Sequence, residues 1–209
     1  MNTSINSMEP KEDAYEGLTS TGKYKITEIS YGQKYPNSYL DILYTGKEPD
    51  ENKPTLIYIH GGGFFFGSKN TGDPIAGKDS SDYIELLCDA GFNLVIMDYA
   101  MVPEYHFPTP LYQLNEVLRF LKENAEKYHL NMEDVVIGGQ SAGAIMTAQY
   151  AAAVADEGYA QTLGISEPAI DIKNLKAVYI DDAPLDYGNF NLATKIIIGN
   201  YGSIIFRVG

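Results

Sequence analysis

Hydrophobic and polar positions along the chain change rhythm near residue 54. In residues 24–29 and again in 39–44, apolar and polar side chains alternate. A period of two sets one face of a strand on a core and the other toward solvent. Gly32 and Pro36 lie between the two runs, which therefore read as an antiparallel opening hairpin. Beyond that point the alternation stops. Residues 55–59, 93–97, 134–137 and 176–180 are mostly unbroken apolar runs. Such runs are expected of strands covered on both faces in a parallel sheet.

Helical spacing fills the gaps. Residues 80–90 form one predicted helix, closed by Gly91. Residues 109–128 form a second, with Leu111, Leu114, Leu118, Leu121, Ala125 and Tyr128 on one face. Residues 142–155 form a third, rich in alanine, whose small side chains let it lie close against the sheet. Alternating strand and helix predicts an α/β fold with a mostly parallel, doubly wound sheet behind the antiparallel N-terminal hairpin. Residues 1–20 are polar and acidic and read as a flexible arm, which leaves residues 21–209 for the α/β domain.

Composition narrows the role. The formal net charge of −13 opposes binding to nucleic-acid phosphates and anionic membrane surfaces, and weighs against an anionic substrate. No apolar stretch approaches membrane-spanning length, and the N-terminus lacks the apolar run of a signal peptide. A single cysteine, Cys88, rules out an intrachain disulfide, and its helical setting reads as a small buried hydrophobe. A cytoplasmic home fits these features.

Two motifs carry chemistry. Gly139-Gln140-Ser141-Ala142-Gly143 matches G-x-S-x-G, directly after one apolar strand and directly before the alanine-rich helix. That context places a serine hydroxyl on a strained strand-to-helix turn, at a helix N-terminus that favours developing negative charge. His60-Gly61-Gly62-Gly63-Phe64 follows the first parallel strand. Three glycines can turn their N–H groups inward without Cβ clashes, as an oxyanion site requires. A phosphate-binding loop is the other glycine-rich candidate, but its G-K-[ST] ending is missing.

Together with Asp98-Tyr99-Ala100-Met101-Val102-Pro103-Glu104, these motifs resemble those of the hormone-sensitive-lipase-like carboxylesterases of the α/β-hydrolase superfamily, in the same order and at similar intervals. The resemblance implies that Ser141 attacks the carbonyl of a short-chain acyl ester. It implies that Gly62, Gly63 and Ala142 donate to the oxyanion, that His60 supports their loop, and that no metal or organic cofactor takes part. Ala100 stands where the family carries arginine, which removes a local salt bridge.

The triad breaks the pattern. On this fold the order is serine, acid, histidine. The three histidines, His60, His106 and His129, all precede Ser141. His106 reads as structural. His129 reads as a solvated residue at the amino end of the strand before Ser141, on the wrong edge of the sheet for a base. Asp181 and Asp182 end the last strand, and Asp182 reads as a structural loop residue, because the family places its acid one strand later. The expectation is an incomplete domain whose C-terminal strands are missing: a truncated product, a fragmentary gene model, or one piece of a split enzyme. Residues 176–180 would then form an exposed apolar edge prone to self-association. The leading reading is a serine ester hydrolase impaired as it stands. The alternatives are a non-catalytic small-molecule binder and an amidase or peptidase using the same machinery. Phe64, Phe65 and Phe66 read equally as acyl-site lining or core filler.

Overall fold

In the computed structural model, residues 5–70 and 80–183 are described, with positions 185, 186, 189 and 195 beyond them. A seven-stranded sheet runs through the molecule in the order β1-β2-β3-β5-β4-β6-β7. Its strands are β1 (Glu16–Leu18), β2 (Tyr24–Ser30), β3 (Tyr39–Leu43), β4 (Pro54–Ile59), β5 (Asn93–Met97), β6 (Asn131–Gln140) and β7 (Leu175–Asp181). β1, β2, β3 and β5 pair antiparallel; β5, β4, β6 and β7 pair parallel. The helices are α1 (Ser80–Asp89), α2 (Thr109–Glu123), α3 (Ala142–Ala155) and α4 (Glu157–Thr162). This is an α/β-hydrolase sheet with the expected opening hairpin. Among the described residues, no helix is long and apolar enough to cross a membrane.

The central strands are apolar throughout because each face meets its own core. Ile57, Ile59, Val95 and Met97 point into a large cluster with Leu111, Leu114 and Leu118 of α2 and Ile145, Met146 and Tyr150 of α3. The alternate residues Leu56, Tyr58, Leu94 and Ile96 join a smaller cluster with Ile84 and Cys88 of α1. Burying each such aliphatic side chain is worth about 1.5–3 kcal/mol relative to leaving it exposed. β7 is the last strand of the sheet among the described residues, and Val178, Tyr179 and Ile180 are exposed on it.

The structure departs from the sequence reading at the end of α2, at α4 and in the N-terminal arm. α2 stops at Glu123 rather than 128, because the Asn124 side-chain amide donates to the Phe120 carbonyl and the backbone turns there. The turn carries Tyr128, still buried, to where its carbonyl accepts the Tyr44 hydroxyl at 2.6 Å. α4 was not expected; the Asp156 carboxylate caps it by accepting the Tyr159 N–H at 2.8 Å. Residues 5–18, expected to lie loose, are tied down. β1 pairs with β2, the Asn6 amide donates to the Met101 carbonyl at 2.8 Å, and Lys11 reaches Asp98 at 3.1 Å.

Candidate active site

The two chemical motifs meet at the carboxyl ends of β4 and β6. Ser141 follows β6 with φ 52° and ψ −110°, a conformation costly to any residue with a Cβ. Its N–H donates to the Asp181 carbonyl at 2.8 Å, which anchors the turn to the end of β7. Its hydroxyl makes no capping hydrogen bond to α3, so the oxygen is not consumed by the helix it starts. The residue is half-buried, whereas Ala142, Gly143 and Ala144 behind it are buried. N–H groups in the first turn of a helix lack an acceptor four residues back, so the Ala142 N–H lies at a terminus that favours an anion.

The flanking glycines are steric requirements. A Cβ on Gly139 would lie 2.6 Å from the Gly143 carbonyl carbon and 2.7 Å from the Ile59 oxygen. The turn therefore closes on itself directly above the end of β4. There the chain passes into the glycine loop, where Gly62, Gly63 and Phe64 all have positive φ (102°, 62° and 67°). A Cβ on Gly62 would lie 2.0 Å from the Phe66 oxygen, so only glycine permits that turn. Phe65 and Phe66 N–H groups both donate to the Gly62 carbonyl, at 3.1 and 3.3 Å. Phe64 is wholly buried in the core, with its carbonyl accepting the Val102 N–H at 3.0 Å. Phe65 packs half-buried on the same core.

His60 is fully buried and stacked on Tyr99, with ring centres 4.4 Å apart. Its Nδ1 lies 2.7 Å from the Gly61 carbonyl, an acceptor, so Nδ1 carries a proton and donates. Its Nε2 faces Asp98 Oδ1 at 3.6 Å. The Tyr99 hydroxyl donates to the His60 carbonyl at 2.9 Å and shares that proton with the Gly61 carbonyl at 3.3 Å. His60 is thereby built into the wall of the loop. His129 is exposed at the opposite, amino end of β6, 3.9 Å from Glu51. His106 is half-buried in the loop after β5, where its carbonyl accepts the Thr109 N–H at 2.9 Å. Asp182 is exposed at φ 50°, and Asp181 is half-buried at the end of β7. Among the described residues, no group of three or more His, Cys, Asp or Glu side chains is placed to hold a metal ion.

Sequence reasoning missed the polar frame behind the loop. Lys69, Glu28, Asp41 and Asp98 are all buried. The Lys69 ammonium pairs with Glu28 Oε1 and, at 3.0 Å, with Asp41 Oδ1. Lys25 reaches Asp41 Oδ2 at 3.3 Å, and Lys11 reaches Asp98 Oδ2 at 3.1 Å. Burial pulls the Lys69 pKa down, but Asp41 and Glu28 outweigh it and leave the group above the ordinary lysine value. A second frame centres on Gln113. Its Oε1 accepts the Ala100 N–H at 2.7 Å, and its amide shares two N–H groups among the Pro36 carbonyl, the Tyr31 hydroxyl and the Ser38 hydroxyl. Ala100 is itself fully buried, so the position holding arginine in the resembled esterases lies inside the protein.

Known proteins share this architecture. Esterase B from Lactobacillus rhamnosis superposes with a TM-score of 0.72 at 18% identity, covering 93% of this chain and 60% of that one. A lipase/esterase from Lactobacillus plantarum gives 0.66 at 16% identity, covering 87% and 70%. In sequence, the acetyl esterase of Salmonella paratyphi B is 30% identical over 113 residues, 53% of this chain. The chain spans about a third of that relative's length (32%). Residues 40–194 match the BD-FAE family, a stretch that holds both the glycine loop and the serine turn. The chain belongs to the BD-FAE family of esterase-like α/β-hydrolases.

Proposed function

We propose that Ser141 is the nucleophile of a serine carboxylic ester hydrolase acting on short-chain acyl esters. The N–H groups of Gly62, Gly63 and Ala142 receive the oxyanion. The observation that carries this reading is the serine's backbone: φ 52° between two glycines that have no room for a Cβ, with a hydroxyl not spent on capping. Strain of that kind is retained where it serves a site. The relatives agree in substrate size, since one is an acetyl esterase and esterase B is described with a tributyrin phosphonate.

Attack on an ester carbonyl needs a base within hydrogen-bond reach of the hydroxyl. Two of the three histidines lie elsewhere, His60 inside the loop wall and His129 at the far end of β6. The test is hydrolysis of p-nitrophenyl butyrate by the protein beside its Ser141→Ala variant, with and without added imidazole as an external base. A rate that depends on Ser141 and rises with imidazole supports the reading. Equal rates for both proteins under both conditions would remove it and leave the non-catalytic, ligand-binding role. Parallel assays on p-nitroanilide amides would separate an esterase from an amidase.

A further inference from the structure

Both ends of the loop of residues 60–69 lie beside the Asp98 carboxylate. His60 Nε2 approaches Asp98 Oδ1 at 3.6 Å, and the backbone N–H of Lys69 donates to the same oxygen at 2.5 Å. Asp98 is fixed in turn. Its N–H donates to the Tyr39 carbonyl at 3.0 Å, its carbonyl accepts the Tyr31 hydroxyl at 2.7 Å, and its second carboxylate oxygen takes Lys11. The far end of the loop also has a side-chain anchor, because the Lys69 ammonium inserts between Glu28 of β2 and Asp41 of β3. Glu28 sits at φ 54°, at the irregularity where the β2–β3 register shifts, and its N–H donates to Asp41 Oδ1 at 3.0 Å.

The group contains three lysines (Lys11, Lys25, Lys69) and three carboxylates (Glu28, Asp41, Asp98), so its formal charges cancel. Burying charges is costly, and a buried pair stabilises little relative to an apolar replacement of similar volume. Lys69 alone of the three lysines is buried among the carboxylates, Lys11 and Lys25 being partly exposed, and such a cluster is better explained by what it fixes. It joins the glycine loop to the hairpin on one side and, through Lys11, to the N-terminal arm on the other.

We propose that Lys69 is a positioning residue: its buried ammonium, held by Glu28 and Asp41, tethers the C-terminal end of the glycine loop to the β2–β3 hairpin and so fixes the direction of the Gly62 and Gly63 N–H groups. The catalytic consequence rests on the esterase reading above; the mechanical one does not. The loop has three consecutive residues at positive φ, and helical or strand hydrogen bonding does not hold them. The tether adds a hold from the hairpin side to the turn bonds at Gly62 and the burial of Phe64. An oxyanion donor displaced by about 1 Å loses of order 100-fold in rate, so fixing the loop matters even where it adds no net stability.

The experiment compares the full chain with two variants. Lys69→Met removes the tether but leaves a buried carboxylate uncompensated, a cost large enough to threaten folding by itself. Lys69→Met combined with Glu28→Gln removes the tether and keeps the formal charges balanced. Amide hydrogen exchange by mass spectrometry reads the loop directly, without needing turnover. The expected result for the double variant is cooperative unfolding close to wild type, with peptides from residues 60–69 exchanging about tenfold faster and β4 and α2 unchanged. If Ser141-dependent hydrolysis is measurable, kcat should fall about 10- to 100-fold with KM within about twofold. Wild-type exchange in residues 60–69 of the double variant would overturn the proposal, and so would a uniform rise across the sheet. Absence of any Ser141-dependent hydrolysis in the wild type would count against the esterase reading only, because the exchange result still decides the tether.

Discussion

Gly143 presses against Ile59: a Cβ on the glycine would lie 2.0 Å from the Ile59 carbonyl oxygen and 2.8 Å from that of His60. The obstacles are backbone atoms at the end of β4, so they cannot swing aside as a flexible side chain could. This contact and that of Gly139 on the same Ile59 oxygen seat the serine turn against the start of the glycine loop. Gly143→Ala should force the two apart. We expect a loss of about 3 kcal/mol, at the upper end for overpacking. Any Ser141-dependent hydrolysis should fall by more than the folded fraction accounts for. Urea unfolding and the ester assay on the same preparations check this. A variant with wild-type stability would show that the turn can shift without cost.

Ser141 itself stores strain. Because its side chain does not cap α3, replacing it with glycine removes the steric cost of φ 52° and sacrifices no helix hydrogen bond. Ser141→Gly is therefore expected to raise stability by about 1 kcal/mol, while Ser141→Ala leaves it unchanged or lower. Glycine's greater freedom in the unfolded chain offsets part of the gain, so comparison with the alanine variant matters. Denaturant midpoints for the three proteins supply the measurement. If the glycine variant is the least stable of the three, the turn is not strained.

Gln113 is expected to be worth more than its neutral chemistry suggests. It is fully buried, and its carbonyl and amide together serve Ala100, Pro36, Tyr31 and Ser38. Those partners belong to the β5–α2 loop and the β2–β3 connection, so one side chain joins the two. Gln113→Leu keeps the volume but strands the Ala100 N–H and the Pro36 carbonyl. A cost of about 3 kcal/mol follows from leaving two buried groups unsatisfied, with an unchanged denaturant slope. A shift under 1 kcal/mol would mean the network re-forms without it.

What the sequence displayed and what it hid follow from range. Residues 55–59 and 93–97 announced their strands because both faces are covered, and no polar residue interrupts Leu56–Ile59 except the Tyr58 hydroxyl. Ser141 and the glycines of residues 61–63 were readable because steric demands on a tight turn leave few residue choices. Lys69, Asp98 and Gln113 were not. A charged or amide side chain defaults to the surface, and nothing local reveals that its partners wait 41, 29 or 77 residues away. The arm was misread for the same reason: Asn6 and Lys11 find Met101 and Asp98 only after the sheet exists. The end of α2 depended on a single side-chain bond from Asn124, too small a signal beside the continuing apolar spacing of Ala125 and Tyr128.

Alkaline pH should destabilise the fold early, beginning with Cys88. Burial beneath α1, against Leu43, Leu56 and Leu94 of the sheet, pushes its thiol up to about 11 from an ordinary value of 9.0, despite the opposing pull of Lys23. The folded state then keeps a proton that the unfolded chain releases. For a group raised in this way, the stabilisation is complete below pH 9 and is lost as pH rises through about 11. The expected slope in that window is about 1.4 kcal/mol per pH unit from this one group. Tyr31, Tyr44 and Tyr150 are raised by burial as well, so the decline should steepen further on the alkaline side of 10. Cys88→Ala isolates the thiol. It should cost stability at pH 8 by leaving a small void, yet lose less than wild type between pH 9 and 10.5. Urea unfolding at both pH values, with and without the substitution, gives the double difference. A wild-type slope equal to that of Cys88→Ala would mean the thiol titrates normally and that water reaches it through the α1 face.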